Sequence, residues 1–68
     1  MASYYVNDNE QSNGDHEVHV STCSWFSFIN SKTYLGEFYT CAPAVTKAKT
    51  IYSQSNGCAY CCPSCHTS

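Results

Sequence analysis

The chain contains no arginine and only three lysines against five acidic residues, which gives a formal net charge of -2 over 68 residues. Proteins that bind nucleic acid neutralise its phosphates with lysine and arginine side chains, so a nucleic-acid partner is not expected. Long apolar runs are lacking too, which argues against a membrane-spanning helix. The first residues have neither the basic nor the apolar segment of a secretory signal. Taking Met1 as the native start, we expect a cytoplasmic protein with no membrane partner.

The chain is also short and poor in leucine and isoleucine, and both properties limit its hydrophobic core. A domain of this length buries only about 60% of the surface of its unfolded chain, so a covalent or metal staple is expected. Six of the residues are cysteines, a frequency typical of disulfide scaffolds and metal modules. Because cytoplasmic thiols stay reduced, the cysteines favour a metal site in a single domain spanning residues 1–68. A secreted domain stapled by disulfides is the alternative.

The hydrophobic pattern predicts an α+β fold in which a small antiparallel sheet of about three strands packs against one helix. Aromatic and β-branched residues predict strands at 4–6, 16–20 and 34–39. An Asn-Gly pair at 13–14 predicts a turn within the long loop between the first two strands. Gly36 marks a bulge or bend in the third strand. Residues 25–29 are expected to form a loop or short helical turn that packs aromatic side chains over the core.

A helix is predicted from residue 41 to residue 52. Thr40 is suited to the N-cap, and Pro43 falls in the first turn, where its missing N–H costs no hydrogen bond. Apolar residues recur at three- and four-residue spacing along one face: Cys41, Ala44, Val45, Ala48, Ile51 and Tyr52. Cys41 is therefore expected to be a small buried hydrophobe. Residues 53–57 are predicted to end the helix as a turn.

Two local pairs of side chains have the spacing of zinc ligands. His19 and Cys23 form an H-x3-C pair at the end of the second strand, and Cys58 and Cys61 form a C-x2-C pair after the helix. A tight turn that carries two ligands defines half of a tetrahedral site, and two such pairs complete it. We therefore predict a structural zinc site formed by His19, Cys23, Cys58 and Cys61.

The last residues leave a second ligand choice open. Cys62 and Cys65 form another C-x2-C pair that overlaps the first, and His66 follows directly. A local site of four thiolates is disfavoured, because adjacent Cys61 and Cys62 point differently and Pro63 stiffens the turn between the pairs. Cys62, Cys65 and His66 could instead replace some of the predicted ligands or build a weaker second site.

The order of strands, helix and ligand pairs over residues 4–61 resembles the zinc domain of the Ada family of DNA methylphosphotriester repair proteins. The pair His19 and Cys23 stands where that family has C-x3-C, and Cys58 and Cys61 match its closing pair. The resemblance implies a similar fold and a zinc ion. It does not carry over the methyl-transfer activity, because His19 replaces the nucleophilic cysteine and the chain lacks arginine for binding DNA.

We therefore expect a small non-catalytic zinc module that mediates interaction with a protein partner. Four protein ligands leave no coordination position for a catalytic water. No nucleophilic triad, carboxylate pair or phosphate-binding glycine loop can be named, so the chain is not expected to be an enzyme. A thiol or redox protein using Cys62 or Cys65 is an alternative, as is a protein that binds single-stranded nucleic acid by aromatic stacking.

Overall fold

The computed structural model describes residues 1–24 and 26–66 and shows a small α+β fold. Four strands and one helix occur in the order β1 (Ala2–Asn7), β2 (His16–Val20), β3 (Lys32–Phe38), α1 (Cys41–Ala48) and β4 (Ser55–Gly57). Two short 3₁₀ turns lie at Phe26–Phe28 and Pro63–Cys65. The first of them confirms the short helical turn predicted at 25–29, but not the predicted packing over the core, because Phe28 is exposed; Trp25 lies outside the described residues.

The four strands form one mixed sheet in the order β3-β1-β2-β4. Strand β1 pairs antiparallel with both β2 and β3. Between β1 and β3 the register shifts, because Tyr4 pairs with Gly36 but Tyr5 pairs with Tyr34. Leu35 is the extra residue of this bulge. Gly36 has a φ of 123°, a conformation that side-chain-bearing residues rarely adopt, so the bulge predicted at this glycine is confirmed.

The prediction of about three antiparallel strands missed β4, which pairs parallel with β2. Its residues, Ser55 to Gly57, are polar or small and show no alternation, so the sequence indicated only a turn. The strand forms through backbone pairing, with Ser55 opposite His16 and Gly57 opposite Val18. Its side chains add to this pairing, since the Asn56 amide donates a hydrogen bond to the Asp15 carboxylate.

Helix α1 begins at Cys41, after Thr40 at the N-cap, but it is shorter than predicted. It ends at Ala48, and a turn in which the Thr50 hydroxyl donates to the Lys47 carbonyl oxygen follows. Ile51 consequently lies off the buried face and is exposed, contrary to the prediction from apolar spacing. No helix in the part of the chain that the structure describes is long and apolar enough to cross a membrane.

The hydrophobic core lies between α1 and one face of the sheet. Val6 and Val18 from the two central strands are fully buried there, as are Ala44 and Ala48 from the helix. The small helix residues allow the helix to lie close to the sheet, which suits a core of limited volume. The other sheet face carries an aromatic group, in which Tyr5 packs against Phe26 and Tyr34.

Candidate metal centre

The structure brings together the four side chains that the sequence spacing predicts as zinc ligands. One ligand atom from each lies within 4.8 Å of those of the others in the cysteine–histidine cluster of His19, Cys23, Cys58 and Cys61. Within residues 1–24 and 26–66, no other group of three or more cysteine, histidine or acidic side chains converges in this way. The cluster could hold a metal ion.

Parallel pairing of β2 and β4 explains why the two halves of the cluster meet. The carboxyl ends of neighbouring parallel strands lie at the same edge of the sheet, and each half of the cluster comes from one of these ends. After Val20 the chain turns back, and the Cys23 N–H donates to the Val20 carbonyl oxygen at 2.9 Å. After β4, the Cys62 N–H donates to the Cys58 carbonyl oxygen at 2.8 Å and closes the second turn.

Two distances within the cluster are close to the edges of a zinc tetrahedron. The Nδ1 atom of His19 lies 3.6 Å from the Sγ atom of Cys23 and 3.8 Å from that of Cys61. A tetrahedral zinc ion with bonds of about 2.3 Å to sulfur and about 2.0 Å to nitrogen separates its ligand atoms by about 3.5 to 3.8 Å. The Cys58 sulfur is held in addition by the Tyr60 N–H, which donates to it at 3.4 Å.

His19 is buried and presents its two ring nitrogens to different partners. Its Nδ1 faces the cysteine sulfurs, whereas its Nε2 lies 3.5 Å from the Oε1 atom of Glu17. Burial lowers the pKa of His19, and the negative charge of Glu17 opposes that shift only in part. The imidazole is therefore neutral at pH 7, the state in which a ring nitrogen can bind a metal.

The Cys61 thiol is in a poor environment for bare negative charge. Burial raises the pKa of the Cys61 thiol, and its hydrogen bond with Cys23 adds to the rise. Thiolates at Cys62 and Cys58 would repel a thiolate at Cys61 and raise its pKa further. A divalent cation reverses this preference, because its charge stabilises the thiolates that it binds.

Two of the three cysteines outside the cluster are joined to each other. Cys41 and Cys65, separated by 24 positions, form a disulfide. The prediction that Cys41 is buried is confirmed, but the prediction that it is only a small hydrophobe is wrong. Cys65 is likewise not a spare ligand. The pairing links the first turn of α1 to the segment after the Cys58–Cys61 pair, a neighbourhood that only the folded chain reveals.

The remaining candidates do not form a second metal site. Cys62 is a buried free cysteine in the hydrophobic core, and burial raises the pKa of its thiol. His66 lies with its Nδ1 atom 3.0 Å from the Gly57 carbonyl oxygen. His16 stacks on Tyr52, with ring centroids 3.9 Å apart.

Glu17 is a site residue to which the sequence reasoning gave no role. Successive side chains of a strand alternate between its faces, so the strand predicted at 16–20 has Glu17 and His19 on one face, and that signal could have suggested their contact. Comparison of the chain with protein-family models, with curated proteins and with solved structures finds no match. The resemblance to the Ada zinc domain therefore stays a prediction.

Proposed function

We propose that the chain is a non-catalytic metal-binding module in which the cysteine–histidine cluster binds one zinc ion. The observation that carries the proposal is the convergence of two sequence-distant ligand pairs on one point. Three sulfur donors and one imidazole nitrogen favour zinc over magnesium or calcium, which bind oxygen ligands. With four protein ligands the ion has no open position, which supports a structural role.

The ion would act as a staple at one edge of the sheet. His19 lies near the end of β2 and Cys23 follows it, whereas Cys58 and Cys61 follow β4, so a common ion would fix the two strand ends together. Strand β4 has only three residues and three register pairs with β2. Structural zinc sites contribute on the order of 10 kcal/mol to folding, which is large compared with the stability that a core of this size supplies.

Cobalt substitution with two matched cysteine variants tests the zinc site. Cobalt bound to three thiolates and one imidazole in a tetrahedron gives intense visible absorption, and zinc displaces it. We expect one equivalent of cobalt to bind the wild-type chain and the signal to be lost in Cys58→Ser. Cys62→Ser is the control, because Cys62 is also buried but lies outside the cluster. No cobalt binding by the wild-type chain, or retention of the signal by Cys58→Ser, would contradict the proposal.

We also propose that the module acts through a protein partner. Tyr34 and Tyr39 are large exposed side chains, and aromatic residues are enriched in protein interfaces. The low content of lysine and the lack of arginine disfavour binding to phosphates. Tyr39→Ser is expected to reduce capture of the protein partner without changing cobalt binding. Equal capture by the wild type and the variant would argue against binding through Tyr34 and Tyr39.

A further inference from the structure

We propose that Glu17 positions His19 to bind the metal through Nδ1, by accepting a hydrogen bond from the Nε2–H group. This inference rests on the proposed zinc site and adds a residue that is not itself a ligand. The Oε1 atom of Glu17 lies 3.5 Å from Nε2, on the side of the imidazole away from the cysteine sulfurs. Metal-binding histidines commonly donate their second N–H group to a carboxylate.

The carboxylate determines which ring nitrogen is available to the metal. A neutral imidazole carries one proton, and only the other nitrogen has a lone pair for a metal ion. A carboxylate accepts but cannot donate, so Glu17 favours the tautomer with the proton on Nε2. The lone pair is then on Nδ1, the atom that lies 3.6 Å and 3.8 Å from the sulfurs of Cys23 and Cys61.

Strand geometry holds the two side chains in this relation. Positions 17 and 19 lie on the same face of β2, and this strand is paired on both sides, with β1 and β4. His19 is only 3% exposed, so its ring has little room to turn. The Glu17 side chain is 18% exposed, and partial burial strengthens a hydrogen bond to its carboxylate.

The net negative charge of a zinc ion with three thiolates also favours a hydrogen bond between the Glu17 carboxylate and His19. Three thiolates and one divalent zinc ion carry a net charge of about -1, and another negative group nearby would be repelled. An N–H group between the carboxylate and the metal reverses the interaction, because it offers the carboxylate a positive dipole. The hydrogen bond in turn increases the electron density that the imidazole donates to the metal.

Zinc affinity of three glutamate variants, measured by competition with a chromophoric chelator, tests the inference. Loss of an outer partner of a metal-binding histidine typically weakens metal affinity about 10- to 100-fold, and we expect that loss in Glu17→Ala. Glu17→Gln should lose less, because its amide oxygen still accepts the Nε2–H group. Glu37→Gln is the matched control and should bind as the wild type does, since Glu37 is exposed on β3. Unchanged affinity in Glu17→Ala would overturn the inference while leaving the zinc site in place.

Long-range ¹H–¹⁵N spectra of the zinc-bound wild-type chain show which ring nitrogen of His19 binds the metal and which carries the proton. A purely structural role of Glu17 would not determine this choice. We expect His19 to show a metal-bound Nδ1 and a protonated Nε2. Glu17→Gln should retain this pattern with weaker protection of the Nε2 proton from exchange. A metal-bound Nε2 in the wild-type chain would overturn the inference even if Glu17→Ala fails to fold. Failure of the wild-type chain to bind zinc at all would instead overturn both proposals.

Discussion

The backbone N–H of Cys58 donates a hydrogen bond to the carbonyl oxygen of Val18 at 3.0 Å. This bond continues the parallel pairing of β4 with β2 by one residue beyond Gly57. Val18 directly precedes His19, so the bond places the first cysteine of one ligand pair beside the histidine of the other. The cluster therefore depends on backbone pairing as much as on its side chains.

Gly57 is a position at which this arrangement has no room for a larger side chain. A Cβ atom there would lie 2.7 Å from the Cβ atom of Cys65 and 2.8 Å from the Cys62 carbonyl oxygen. These atoms belong to a disulfide and to the backbone, so moving them aside would strain the fold. We expect Gly57→Ala to lower the free energy of unfolding by about 2 kcal/mol and to weaken cobalt binding. Urea unfolding in excess zinc measures the change, and exposed Ser53→Ala serves as control; equal stability of both variants would contradict the close packing at Gly57.

Metal affinity is expected to rise with pH near neutrality. Because the pKa of the Cys61 thiol is raised, this thiol keeps its proton until a metal ion displaces it. The pKa of His19 is lowered, so His19 is already neutral and releases no proton at pH 7. Calorimetry in buffers with different ionisation enthalpies counts the protons released on zinc binding. Zinc affinity that does not change between about pH 6 and about pH 8 would contradict the account.

The Cys41–Cys65 disulfide is expected to contribute to stability independently of the metal. Its sequence separation of 24 corresponds to a stabilisation of about 3 kcal/mol if the link acts by restricting the unfolded chain. Cys41→Ser should lose that amount in urea unfolding with excess zinc, and a phosphine reductant should lower the wild type to the same value. The variant itself should not respond to the reductant. A reductant-insensitive wild type would show that the link does not form.

Asp8 is expected to stabilise the fold above its pKa. Its carboxylate accepts hydrogen bonds from Thr33 at 2.6 Å, Ser31 at 2.8 Å and Tyr52 at 3.0 Å. These bonds, with that from Thr33 the strongest influence, hold the pKa of Asp8 below its ordinary value. The stabilisation is thus complete above the pKa of about 3.9 in the unfolded chain and disappears as pH falls through the lower folded value.

Asp8→Asn tests this expectation by comparison with the wild type. The variant should be less stable near pH 7, and the difference between the two chains should shrink as pH falls from about 5 to below about 3. Both chains lose metal alike in acid, so the difference isolates the carboxylate. If the stability difference between the wild type and Asp8→Asn stayed constant over this pH range, the loss of stability would come from packing and not from the charge of the carboxylate.

The local half of the site could be read from the sequence, because each ligand pair lies within one turn. His19 with Cys23, and Cys58 with Cys61, show their spacing directly. The strand that brings the pairs together could not be predicted, since the three residues of β4 are paired through backbone atoms and carry no alternating pattern. The partner of Cys41 was hidden for a similar reason, because a disulfide across 24 positions depends on where the helix packs.

Native mass spectrometry of the chain, with and without a chelator, tests the central claim most directly. The account predicts one bound zinc ion together with the loss of two hydrogens, since the cluster binds the metal and one pair of cysteines is oxidised. The chelator should remove the zinc and return protons to the three thiolates, and the metal-free chain should then be two hydrogens lighter than its fully reduced form. A chain that binds no metal and has lost six hydrogens would contradict the account, because all six cysteines would then be paired as disulfides.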